Sequence, residues 1–172
     1  MIPLPNPLHP ALVHFPIALI LLGALLAVWA AVFQRGHLPW LTAVLLVTGA
    51  VGAATAVYTG GKQAEMVGDI SDRADALLDE HEEWGEQTRN IAVAAAFLAL
   101  ASASLTRFPK TARGLAVATV IVAAAAAYAV AKTGHIGGQL VYKHGVGINT
   151  AAGNNPANAD TTPSRPARKE TD

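Results

Sequence analysis

An all-α integral membrane protein, built as a four-helix bundle, is the fold class this sequence predicts. Residues 1–34 contain no Lys, Arg, Asp or Glu. Charged residues make up 14% of the 172-residue chain, against about 25% in an average soluble domain. The charges fall between long apolar runs rather than inside them. Uncharged apolar runs of about 18 residues or more are long enough to span a bilayer. An amphipathic extracytoplasmic helix before the third span and a glycine-rich C-terminal loop complete the expectation.

The first span covers residues 10–33. Pro10 and Pro16 are tolerated near its start, because an early proline removes amides that have no helical acceptor. No positive segment precedes it, so it reads as an uncleaved anchor rather than a signal peptide. The second span covers residues 38–59. It carries Gly49, Gly52, Ala53 and Ala56, and small residues three or four apart let helix backbones approach closely in a bilayer. The third and fourth spans, residues 90–106 and 114–131, are alanine-rich and bounded by Arg89, Arg107, Arg113 and Lys132. They are short, since about 17 residues reach only about 25 Å.

The connections differ in charge. Residues 34–37 and 107–113 carry Arg35, Arg107, Lys110 and Arg113 and no acid. Residues 60–89 carry nine acids against Lys62, Arg73 and Arg89. Within them Ile70, Ala74, Leu77, Leu78, His81 and Trp84 recur at three- and four-residue spacing. That spacing predicts an amphipathic helix leading into span three, with His81 on its apolar face. Its acids read most simply as a solvated face. By the positive-inside rule the short basic loops face the cytoplasm. Both termini and the acidic segment are then extracytoplasmic. Residues 133–147 alternate glycine with apolar residues and are expected to fold back over the outer mouth of the bundle. Residues 1–148 form the membrane domain, and the polar tail 149–172 lacks the composition of a core and is expected to be disordered.

This topology gathers histidines. His37 sits in a cytoplasmic turn, and the other five (His9, His14, His81, His135 and His144) fall at the outer ends of the spans. A histidine at the edge of a bilayer is costly unless it has a partner. There is no cysteine, which excludes thiolate metal sites and haem attached through Cys-x-x-Cys-His. Neutral imidazoles on facing helices can grip iron, copper or zinc. A bis-histidine haem b is the best chemical fit, its apolar ring suiting an alanine-lined cleft and close glycine contacts. His14 and His81 are the first candidate ligands and His135 the next. His9, His144, Gly137 and Gly138 are further candidates for binding the same cofactor. A copper or zinc site built from His14, His81 and His135 is an alternative. So is an accessory membrane subunit without a cofactor, in which each histidine merely hydrogen-bonds and packs. The spans carry few polar groups for a transport path, and no catalytic motif is present. No basic stripe for nucleic acid is present either.

Three stretches resemble a known family. They are His9-Pro-Ala-Leu-Val-His-Phe-Pro-Ile17, His81-Glu-Glu-Trp-Gly85, and Gly134-His-Ile-Gly-Gly-Gln-Leu-Val-Tyr-Lys-His-Gly-Val-Gly147. Together they are similar to the bacterial membrane proteins of the domain-of-unknown-function 2231 family, over residues 7–148. The resemblance implies four transmembrane helices in a bacterial cytoplasmic membrane. Some similar proteins carry c-type cytochrome domains on the same chain, which implies a place in electron transfer. This chain differs by its long acidic insertion before His81 and by a polar tail without a fused domain. The partners expected are membrane lipid and a separate periplasmic electron carrier or respiratory complex. Oligomerisation is left open.

Overall fold

A computed structural model describes residues 9–33 and 36–147; the expected tail 149–172 lies outside the described residues. Five helices follow in order: α1 (His9–Leu12), α2 (His14–Phe33), α3 (Leu38–Ala64), α4 (Asp72–Ser104) and α5 (Pro109–His144). The chain is all-α and forms a bundle in which α2 packs on α3, α3 on α4, α4 on α5, and α5 returns to α2.

α1 and α2 are one helix interrupted at Val13. Pro16 has no amide to give the carbonyl four residues back, and its ring crowds that carbonyl, which belongs to Leu12. The backbone responds with Val13 N donating to His9 O and Ile17 N to Val13 O. Pro16 is buried all the same, seated against Gly52 of α3. A Cβ on Gly52 would lie 3.2 Å from the proline ring.

The core is made of small residues. Ala43, Ala50, Ala53, Ala92, Ala95, Ala99, Ala123 and Ala126 fill it around Ile20 and Leu46. Small side chains bring backbones together: a Cβ on Gly49 would stand 3.0 Å from Ile20 Cγ1 and 3.3 Å from Ile20 N. Close backbone packing of this kind holds helices together in lipid, where apolar surface gains little by leaving the tails. Larger apolar residues point outward, among them Leu22, Leu25, Val51, Phe97 and Ile121.

Three stretches are long and apolar enough to cross a membrane: His9–Phe33, Leu38–Ala64 and Pro109–His144. α4 reaches that character only in its C-terminal half, yet its alanines share the same core. Exposed aromatics mark the two ends of the apolar slab. Trp29, Phe33, Trp40 and Phe108 lie at one end, Phe15, Tyr58 and Tyr128 at the other. Trp40 and Tyr58 are about 27 Å apart along α3, and Phe108 and Tyr128 about 30 Å along α5, at about 1.5 Å per residue. That matches a hydrocarbon core of about 30 Å with aromatic belts at its edges.

The amphipathic segment does run straight into span three, as one continuous α4. Ser71 caps it by accepting from Ala74 N, with Asp72 and Asp75 in the first turn, where carboxylates offset the helix dipole. The glycine-rich segment behaves differently from the sequence expectation. It does not fold back; α5 continues to His144 and stops at Gly145, whose φ is 66°. Gly145 N donates to Val141 O and Val146 N to Leu140 O, a glycine-terminated helix end. Helical glycines cost about 1 kcal/mol each. Burial of Ile136 and Leu140 against α4 offsets that cost, and Gly137 makes room for a side chain described next. α4 and α5 thus extend past the Tyr58–Tyr128 belt as a paired stalk.

Candidate functional site

The histidines sort by helix geometry. His9 starts α1 at the end of the bundle where α3 finishes and where α4 and α5 run on into the stalk. Its ring lies on Gly60 of α3, where a Cβ would come within 2.9 Å of His9 Cε1. Its Nδ1 is 3.4 Å from Thr59 Oγ1. The Thr59 hydroxyl donates to the carbonyl of Thr55 or Ala56, so a lone pair faces the imidazole and Nδ1–H is the donor.

His81 is held the same way from the other side. Its ring occupies the notch at Gly137 of α5, again 2.9 Å from Cε1 to where a Cβ would stand. His81 Nδ1 donates to Thr133 O at 3.1 Å; a carbonyl only accepts, which fixes the proton on Nδ1. Below it the Thr88 and Thr133 hydroxyls lie 3.0 Å apart and tie α4 to α5. Beside it Lys132 bonds Glu80 at 3.2 Å and covers the Trp84 ring. Burial pulls the His81 pKa below its ordinary value, and the neighbouring His9 adds to that pull, against the opposing Thr133 carbonyl. Near neutral pH the ring is therefore an uncharged imidazole with Nε2 bare.

The two rings come together. Their centroids are 6.4 Å apart and their planes nearly perpendicular, at 88°. Two residues 72 positions apart in the sequence meet at one rim of the bundle, each with Nδ1 engaged by a neighbouring helix. That engagement is the usual way a ligating imidazole has its tautomer fixed.

The other expected ligands lie elsewhere. His14 is exposed on α2, because five residues of helix turn it about 140° away from His9. His135 is exposed, lining an open groove with Gly138 and Tyr142 on the outer face of α5. His144 is half-buried at the end of α5, and His37 is exposed at the opposite end of the bundle. Of the two candidate glycines, Gly137 receives His81 and Gly138 does not. Sequence reasoning passed over Thr59, Gly60 and Thr133, which hold the imidazoles. The available signal was the pairing of a threonine with a glycine one or four residues on, at the ends of α3 and α5.

The family's profile, described as a predicted membrane protein, matches residues 5–150. The chain belongs to the DUF2231 family. The histidine pair, both glycine notches and both threonines of this DUF2231 chain fall inside the matched region. No curated protein and no solved structure matches it.

Two imidazoles on one metal ion, bound end to end, put their ring centres about 6.3–6.5 Å apart. That follows from about 2.0–2.1 Å per metal–nitrogen bond and about 1.15 Å from nitrogen to ring centre. The observed 6.4 Å, with planes at 88°, is compatible with that spacing and equally with edge-to-face ring packing, which spans about 4.5–7 Å. A haem fits less well, because a macrocycle needs both flanks of each Nε2 clear. Here the Cε1 edges, next to Nε2, lie against the α3 and α5 backbones at Gly60 and Gly137.

Proposed function

We propose that this protein is a bis-histidine metal module of the bacterial cytoplasmic membrane, serving electron transfer with a separate extracytoplasmic carrier. His9 and His81 are the ligands, with both termini and the stalk extracytoplasmic. The observation behind this reading is the 6.4 Å approach of two rings whose Nδ1 atoms are both engaged. Imidazole suits iron, copper and zinc alike. The glycine contacts favour a bare ion; haem b would require α3 and α5 to draw back from the ring edges. Burial of most of the ion in a low-dielectric rim would shield it from solvent and tune its potential.

Absorbance and metal analysis of detergent-purified protein test this. A bound metal centre is expected, at one per chain, and lost in His9→Ala and in His81→Ala. A haem centre would announce itself by a Soret band and a sharp α-band on reduction. Protein that is colourless, metal-free and unable to take up either ion or haem would leave the two rings as a packing device. That second reading is favoured by the fact that each ring already has a hydrogen bond and a fitted notch.

A further inference from the structure

The end of the bundle away from the histidine pair holds a second polar feature. A small cavity lies between the start of α3, the end of α4 and the first three turns of α5, with Ala27 and Ala30 of α2 on its fourth side. About 10 Å³ of it is open to the centre of a water-sized sphere. Thr42, Ser102 and Thr119 line it, one from each of three helices, and they are only 3%, 5% and 2% exposed. Each hydroxyl has its single proton engaged. Thr42 donates to Leu38 O at 2.9 Å, Ser102 to Ala112 O at 2.9 Å and Thr119 to Leu115 O at 2.8 Å. A hydroxyl oxygen keeps two lone pairs besides its proton, so all three groups are left as acceptors. Among the described residues no donor reaches any of them, and in a bilayer polar groups must be met from within the protein.

We propose that this cavity is a binding site for one water molecule, shared by Thr42, Ser102 and Thr119 and joining α3, α4 and α5. At the opposite end of the bundle the Thr88 and Thr133 hydroxyls tie α4 to α5 directly, 3.0 Å apart; here the three hydroxyls do not bond one another, and the water bridges them. Size, polarity and charge each select it. A space of this volume takes one water and nothing larger. The ligand must donate, because the hydroxyls accept, and water donates twice. Its third bond, the usual number for a buried water, forms when one hydroxyl turns its proton from a helix carbonyl to the water oxygen. A cation would find no counter-charge, since the nearest acid along these helices, Glu86, is about 24 Å up α4 from Ser102. An apolar occupant would leave the lone pairs unmet, which is costly in a buried place.

The test is an experimental structure of the full-length protein in lipid, at a resolution that shows ordered water, for the native chain and for Thr119→Val, which keeps the side-chain shape and removes the hydroxyl. One density peak within about 2.5–3.0 Å of at least two of the three hydroxyl oxygens is expected in the native protein, and none at that place in Thr119→Val. Denaturant titration in mixed micelles gives the second readout. Thr42→Val and Thr119→Val should each lower the unfolding midpoint. Combined, they should lower it by less than the sum of the two, because either one alone releases the shared water. Ser102→Ala replaces Thr119→Val in both readouts should that chain fail to fold. A cavity without density where surface waters are resolved overturns the proposal. So does a peak ringed by six or more oxygens at about 2.3–2.6 Å, the shell of a metal cation, and so do additive midpoints. Each of these outcomes leaves the reading of His9 and His81 untouched.

Discussion

At the scale of single residues, the decisive chemistry is the position of two protons. His81 gives its Nδ1 proton to Thr133 O, which leaves Nε2 as its unprotonated nitrogen, and His9 sets its Nδ1 3.4 Å from Thr59 Oγ1 with the Ala56 backbone also in hydrogen-bonding reach. Because burial lowers the His81 pKa, the native metal-free protein resists a proton that the unfolded chain accepts below about pH 6.5. Its stability is therefore full above about pH 6.5 and falls as pH drops through that value. It levels off once the native ring also protonates. Thermal midpoints of metal-free protein between about pH 7.5 and 5.5 should show the decline, with less of it in His81→Gln. A profile that is flat, or that rises towards acid, contradicts the lowered pKa. Little of this was legible in the sequence. The six-histidine inventory and the choice of rim could be read from spacing and loop charge, and His81 stood out on its apolar stripe. That His9 rather than His14 faces it depends on the break at Val13 and on which notch each ring enters, and both are tertiary facts.

At the scale of the elements, glycine does two jobs that a sequence does not separate. Gly49 and Gly52 let α2 lie on α3. Gly49→Ala puts a methyl against Ile20 N as well as its side chain, and backbone cannot swing aside. It should cost about 1–3 kcal/mol, the range for overpacking, measurable by denaturant titration in mixed micelles. Gly60 and Gly137 serve imidazoles instead. An alanine at position 137 meets only the movable end of the His81 ring and gains about 1 kcal/mol of helix propensity. Gly137→Ala should thus keep its stability to within about 1 kcal/mol while losing metal binding, because His81 is pushed off Thr133. Equal loss of both properties would mean the notch is structural. The continuation of α5 through Gly134, Gly137 and Gly138 escaped sequence reasoning for the same reason. Local propensity argued for a loop, and burial of Ile136 and Leu140 against α4 overrode it.

At the scale of the whole molecule, the apolar runs, the alanine content and the charge-free N-terminus made the bundle legible. Membrane spans are written in composition, whereas pockets are written in contacts. The fold puts His9, the stalk of α4 and the end of α5 on one side, and the turn from α4 to α5 on the other. The chain has no cysteine, so single cysteines report the topology cleanly. Asp75→Cys and Lys143→Cys should react with a membrane-impermeant maleimide in intact cells, and Lys110→Cys only after lysis. The reverse pattern would invert the assigned orientation while keeping the same-side relation; reaction of Asp75→Cys and Lys143→Cys from opposite sides would break the fold.

The notch at Gly137 has a bearing on biogenesis. His9 and Gly60 leave the ribosome early and His81 follows, but the surface that seats His81 belongs to the last helix to be inserted. A chain paused after α4 would hold both imidazoles with one of them unseated. Metal loading should accordingly wait for completed synthesis, and a truncation before Thr133 should emerge from the membrane empty.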